Sequence, residues 1–180
     1  MNLTAPRNIT RRLALVVLTV GLAACVSRGS IADGSTIGPT QGLLVLKLTG
    51  NVESILNFNP YAESTAGSKI AENFLGAKGG LQIIKGERYY VLPVDAGEYM
   101  WTKVMIGTSY SELYGKTRFV VRPGVTTYVG HMKIWTTARN ISVTVEDNEA
   151  DMRQHLKVNF PNYSNNFKFE KSLTELSSGL

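Results

Sequence analysis

Leu92-Pro93-Val94-Asp95-Ala96-Gly97-Glu98-Tyr99 is the stretch on which the fold turns. Residues 88 to 92 run into it and Met100 to Ile106 run out of it, both rich in the aromatic and β-branched side chains that suit strands. Pro93 fixes φ and Gly97 tolerates positive φ, so Pro93 to Gly97 is expected to reverse the chain between two strands, with Gly97 left-handed.

The same grammar recurs downstream. Phe119, Val120 and Val121 lead into Arg122, Pro123 and Gly124, a tight-turn pair, and Val125 to Ile134 runs out again through Val125, Thr126, Thr127, Tyr128 and Val129. Upstream, Leu43 to Leu48 is a short apolar run between Gly42 and Gly50, the length of a buried strand. Ile55 to Phe58 and residues 81 to 84 are further candidates. The small residues from Asn59 to Gly80 predict a long loop with one helical turn near Ile70 to Leu75.

Ile141, Val143 and Val145 alternate with Ser142, Thr144 and Glu146, the period of a sheet with one wet face. The period then changes. Asp147 and Asn148 are capping residues, Glu149 and Asp151 suit the positive end of a helix dipole, and Met152, Leu156 and Phe160 recur every four residues. A helix is expected there, stopped by Pro161, with a polar tail to Leu180.

Both turn motifs carry a resemblance. Leu92 to Tyr99 resembles the LPAGxY turn of bacterial transthyretin-like or carboxypeptidase-regulatory-like sandwiches, with Asp95 as an inserted difference, and Pro123-Gly124 followed by Tyr128-Val129-Gly130 is similar to a second turn of such domains. The likeness covers residues 88 to 146. It implies an antiparallel β-sandwich in which Tyr99 packs inward, and a shared fold does not transfer a function.

The N-terminus reads as an address. Arg7, Arg11 and Arg12 precede an apolar run from Leu13, which is too short for the about 20 residues that span a bilayer. It closes on Leu22-Ala23-Ala24-Cys25, which resembles the bacterial lipobox. The resemblance implies a signal peptide over 1–24, cleavage after Leu22-Ala23-Ala24, and lipidation of Cys25, the chain's one cysteine. An ordinary secretory signal with an incidental Cys25 is the alternative. Val26 follows, where Asp would imply retention in the inner membrane, so the family rule implies the outer membrane. The anchored domain is expected to face the periplasm.

Three of the 19 basic residues lie in that leader, and the other 16 meet 14 acidic ones, a net charge of +2. Nucleic acid is therefore not expected as a partner. Removing 24 of 180 residues leaves 156, enough for one domain with a real core. The expected organisation is a lipidated Cys and flexible tether over 25–41, a β-sandwich over 42–146, and a C-terminal helix and tail over 147–180 packing on it. The tether's composition gives an r.m.s. span of roughly 20 to 24 Å.

No catalytic constellation stands out. Glu146, Asp147, Glu149 and Asp151 lack the ligand loop of a calcium site. His131 and His155 have no partner at metal spacing and read as a strand residue and a helix-surface residue. No serine lies in a Gly-x-Ser-x-Gly elbow. No cofactor is expected.

The aromatics remain: Tyr89, Tyr90, Tyr99, Trp101, Tyr110, Tyr114, Tyr128 and Trp135 cannot all point into one core, because adjacent strand residues face opposite sides. Tyr110 and Tyr114 fall in a stretch of small polar residues, Gly107 to Lys116, which is read as a loop carrying both rings exposed, and they are the candidate interaction surface. The expected function is that of a lipid-anchored, non-catalytic adaptor in an envelope assembly. The alternative is a binding module for cell-wall glycan or a small ligand through exposed aromatics. An enzyme would be marked by titratable side chains converging in a pocket.

Overall fold

The computed structural model describes residues 30–61, 79–137 and 140–178. The lipobox Leu22 to Cys25 lies outside these residues, as do positions 62–78 and the helical turn expected there. The described chain is mainly β, in two mostly antiparallel sheets with two short helices.

The strands are β1 (Gln41–Gly50), β2 (Ser54–Pro60), β3 (Gly79–Ile83), β4 (Gly86–Asp95), β5 (Gly97–Ile106), β6 (Ser109–Lys116), β7 (Arg118–Val121), β8 (Val125–Thr136) and β9 (Ile141–Glu146), then β10 (Lys168–Lys171) and β11 (Glu175–Ser178). Helices α1 (Glu149–Asn159) and α2 (Pro161–Asn166) sit between β9 and β10. The first sheet has the order β10-β8-β1-β4, with β9 on β8; the second has β11-β6-β5-β2-β3, with β7 on β5. Two pairs, β1 with β8 and β10 with β8, are parallel.

The central strand β1 explains the architecture. Leu44, Leu46 and Leu48 enter a core shared with the second sheet, where they meet Leu56, Phe58, Trp101 and Phe119. Leu43 and Val45, one residue out of phase, enter a second cluster with Tyr128, Met152, Leu156 and Tyr163. Both faces of β1 are buried, which is why its sequence is continuously apolar rather than alternating. Each fully buried aliphatic side chain contributes about 1.5–3 kcal/mol, so both layers matter to stability.

The two turn motifs do not close hairpins within a sheet. β4 and β5 are separated by Ala96 alone, yet β4 pairs with β1 in the first sheet and β5 with β2 in the second. Leu92 to Tyr99 is therefore a corner that carries the chain between sheets. Pro93 is tolerated because β4 is an edge strand of the sheet order. Gly97 is not among the glycines with positive φ, contrary to expectation. The corner is held instead by side chains: Tyr99 packs inward, and its hydroxyl donates to the Asp95 carbonyl at 2.8 Å.

Pro123-Gly124 makes the return crossing, from β7 in the second sheet to β8 in the first, with Gly124 left-handed at φ 66°. Both corners meet the start of β1. The Ala96 N–H donates to the Thr40 carbonyl at 2.8 Å and the Gly124 N–H to that of Gln41 at 3.0 Å. A Cβ on Gly42 would lie 2.2 Å from the Arg122 carbonyl oxygen, so glycine is required at this crossing by close approach rather than by φ.

Three expectations for the ends of the domain change. Residues 30 to 40 are not a free tether: the Ile31 N–H donates to the Val91 carbonyl at 2.8 Å, Tyr163 donates to the Ala32 and Ser35 carbonyls, and Ile31 and Ile37 pack on the second cluster. Pro161 does not simply end the helical region, because it is the first residue of α2, where its missing N–H costs no bond. The tail is not loose either, since β10 and β11 each add an edge strand to one sheet. Asn148 occupies the N-cap of α1 without a side-chain capping bond; Asp147 Oδ1 accepts from the Glu149 N–H at 3.3 Å.

Candidate functional site

The region expected as a loop, Gly107 to Lys116, is the strand β6 joined to β5 by a two-residue turn. Ile106 pairs with Ser109, and Gly107 has φ 57° while Thr108 has no positive φ, the sign pattern of a type II′ hairpin. Strand periodicity then sorts the side chains. Leu113 enters the shared core, whereas Tyr110, Glu112 and Tyr114 point to the opposite face. The alternation was present in the sequence but masked by Ser109, Ser111 and Gly115, which favour a loop reading.

Both tyrosines are exposed as expected, Tyr110 by 61% and Tyr114 by 52%. Around them the outer face of the second sheet is built in cross-strand rows. Ile55 on β2 pairs with Met105 on β5, which pairs with Tyr110; Asn57 pairs with Lys103, which pairs with Glu112. Lys103 Nζ lies 5.4 Å from the centre of the Tyr110 ring, and the Tyr114 hydroxyl donates to Glu112 at 3.0 Å. That bond to a carboxylate pushes the Tyr114 hydroxyl pKa up. Ile55 is 41% exposed. The face thus offers two amphipathic rings, an aliphatic side chain and one charge of each sign, all on paired strands rather than on a mobile loop.

A second constellation lies on the other side of the molecule, under α1. Lys47 on β1 pairs with Glu87 at 3.0 Å and Asp151 at 3.1 Å, and the Tyr89 hydroxyl donates to the same Asp151 oxygen at 2.8 Å. Burial alone would lower the Lys47 pKa, but hydrogen bonds to Glu87 and Asp151 outweigh it and hold the ammonium above the usual lysine range. Asp151 is held low by the Tyr89 hydroxyl and by Lys47.

Both histidines adjoin this network. His131 is buried on β8, with Nε2 2.7 Å from the Thr49 hydroxyl and Nδ1 3.4 Å from Asn148 Nδ2, and burial pushes its pKa down. His155 is not a plain helix-surface residue: its ring stacks on Tyr89 at 3.8 Å between centres. Sequence spacing could not bring these residues together, because they come from β1, β4, β8 and α1.

The network's charges are engaged with one another, and what they join is sheet to helix. A shallow depression nearby, about 370 Å³, is lined by Asp147, Glu149, Ala150, Arg153 and Lys171. Its charges are also paired: Lys171 bridges Asp147 and Glu149 at 2.7 Å each, and Arg153 bonds Glu149 at 2.7 Å. Among the described residues no group of three or more His, Cys, Asp or Glu could hold a metal ion, and no helix is long and apolar enough to cross a membrane.

No protein-family model, curated protein or solved structure matches the chain. The remaining expected aromatics divide by environment. Tyr90, Tyr99, Trp101 and Tyr128 are buried, while Trp135 is 48% exposed at the end of β8.

Proposed function

We propose that the mature protein begins at Cys25, is held in the outer membrane by lipid on that residue, and presents a transthyretin-like β-sandwich as a non-catalytic adaptor in an envelope assembly. The working surface is the outer face of β5 and β6 around Tyr110 and Tyr114. The observation that carries this reading is an asymmetry. The first sheet's outer face is roofed by α1, α2 and residues 30 to 40, whereas the second sheet's carries large, exposed, amphipathic side chains on rigid strands. Tyrosines with an apolar body and a polar tip are enriched at protein interfaces.

A glycan-binding module is the second reading, favoured by the paired arrangement of Tyr110 over Lys103 and Tyr114 on Glu112, which sets stacking rings beside polar groups. Crosslinked affinity capture from membranes separates the two. Protein partners lost on Tyr110→Ala/Tyr114→Ala support the adaptor; loss of cell-wall pull-down with unchanged protein partners supports the glycan reading. Palmitate incorporation that vanishes in Cys25→Ser checks the anchor, and unlabelled wild-type protein in the soluble periplasmic fraction would remove it.

A further inference from the structure

The outer face of β5 and β6 holds two charges that the folded chain leaves unneutralised. Lys103 and Glu112 stand directly opposite each other across the hairpin, and Met105 stands opposite Tyr110 two residues nearer the turn. Opposite charges placed this way attract and stabilise a sheet by pairing. Among the described residues, however, neither takes part in an ion pair. On the first sheet the comparable charges do meet, Lys133 of β8 bonding Glu146 of β9 at 2.6 Å. The tyrosines keep Lys103 and Glu112 apart: the ammonium lies toward the Tyr110 ring, 5.4 Å from its centre, and the carboxylate accepts from the Tyr114 hydroxyl at 3.0 Å. The two charges are thus drawn toward opposite ends of the hairpin.

Resting on the reading of this face as the working surface, we infer that its partner is a second copy of this chain, joined face to face about a two-fold axis that runs along the strands between β5 and β6. Such an axis turns β5 of one copy over β6 of the other while keeping each residue at its own level along the strands. Because Lys103 and Glu112 share one level, each lysine then faces the other copy's glutamate, and the two contacts form together. Met105 and Tyr110 share the next level, so thioether meets aromatic ring twice as well, a contact that methionine sulfur favours. Ile55, opposite Met105 on β2 and 41% exposed, widens this apolar row. Sheets that pack face to face keep their strands within about 30° of each other at a separation of about 10 Å, a gap that a lysine and a glutamate reaching from both sides can close.

Charge argues for a second copy over a different partner. Lys103 and Glu112 cancel, so the pair supplies no net field to steer a strongly acidic or basic molecule. What the pair matches is itself reversed, and a two-fold contact requires that self-complementarity, in which one residue meets a second and the second meets the first. Two ion pairs and a few side chains make a contact at the small, transient end of protein interfaces. It forms where copies are concentrated and separates on dilution.

The test uses the full-length chain in intact cells, with Tyr110 replaced by the photo-crosslinking residue p-benzoylphenylalanine in one tagged copy and a second, differently tagged copy co-expressed. The expected result is a light-dependent crosslink between the two copies. Lys103→Glu in both copies should cut its yield at least about tenfold, because like charges then face each other twice, and Glu112→Lys in both should do the same. Lys103→Glu in one copy with Glu112→Lys in the other should restore the yield, since every facing pair is again opposite in sign. No crosslink between otherwise wild-type copies, undiminished yield in either variant, or no recovery in a mixed pair that keeps the wild-type urea midpoint overturns the self-pairing. A crosslink from position 110 to a different protein, with none between copies, overturns it while leaving the adaptor surface standing. A position 110 that crosslinks to nothing removes that surface and this inference with it.

Discussion

The outer faces of the two sheets are made from similar material and end in opposite states. On the first sheet, Tyr89 projects outward, stacks on His155 and bonds Asp151 of α1. On the second, Tyr110 and Tyr114 project outward and engage Lys103 and Glu112 of their own hairpin. The difference lies in the companions each ring has. Leu43 and Val45 on β1 and Tyr128 on β8 make the first sheet's outer face apolar enough to hold a helix, whereas Lys103 and Glu112 keep β5 and β6 wet on theirs. A tyrosine on a face apolar enough to hold a helix is partly covered even though its own partners are charged, and one on a face kept wet by its neighbours stays exposed.

The largest effect that could break this comparison is expected on the covered side. Leu156 is 3% exposed in the second cluster. Leu156→Ala should cost about 2–5 kcal/mol, the range for truncating a buried leucine, read as a lower urea midpoint with unchanged slope. A loss below about 1 kcal/mol would mean that α1 is an attachment rather than a layer of the domain.

Next comes the polar tie beneath that layer. Lys47→Met keeps the stem's packing and removes the ammonium, leaving Asp151 to Tyr89 alone. Hydrogen bonds to charged groups are worth about 1.5–3 kcal/mol when shielded, and the half-exposed carboxylates of Glu87 and Asp151 reduce this. A loss of about 1–2 kcal/mol is expected. An unchanged midpoint would show that the apolar cluster alone holds the helix.

Smaller again is a pH-dependent step. Burial lowers the pKa of His131, helped by Lys47 of β1 and Lys133 of its own strand against Glu87 and Glu146, and burial lowers that of His155. A histidine whose folded pKa is depressed binds fewer protons folded than unfolded. Its contribution is therefore fully present above the unfolded value of about 6.5 and is lost as pH falls through the lowered folded value. The urea midpoint should fall between pH 7.5 and 5.5, less in His131→Asn or His155→Asn, and not at all in the double variant. A drop of full size in the double variant would assign it to other groups.

Much of the fold was legible in the chain because strands advertise themselves locally. The alternation of Ile141, Val143 and Val145 and the apolar run of β1 both mark strands. The unbroken run from Leu43 to Leu46 also signals a sheet covered on both sides, since a one-sided sheet would alternate. The routing was less legible. Leu92 to Tyr99 has turn chemistry, but residues that bend a chain do not specify whether the next strand returns to the same sheet or crosses to another; pairing with β1 and β2, more than 35 residues upstream, decides that. Gly97 illustrates the gap, for a glycine closing a turn that opens on a proline suggests positive φ, and here the Tyr99 bond to Asp95 holds the bend without it. Residues 30 to 40 were misread for a related reason: small polar residues look tether-like until Tyr163 and Val91, far along the chain, supply partners for their backbone. The Lys47 network was invisible because its members are ordinary residues brought together by topology.

The smallest stability effect is expected where the functional one is largest. Tyr110→Ala/Tyr114→Ala removes two rings that are more than half exposed and whose polar contacts are with exposed groups. Surface substitutions of this kind stay within about 0.5 kcal/mol, so the variant should unfold at nearly the wild-type urea midpoint while losing its crosslinked partners. Trp101, on the inward side of the same sheet and fully buried against Phe58 and Phe119, is the control. Trp101→Ala should cost about 3–5 kcal/mol. Two aromatic deletions in one sheet would then differ severalfold according to the face they occupy. If the tyrosine pair costs as much as the tryptophan, the open face is packed against something in the folded chain and the adaptor surface lies elsewhere. If it costs little and every partner is retained, the exposed rings are inert surface, and Trp135, exposed at the end of β8, becomes the next aromatic to test.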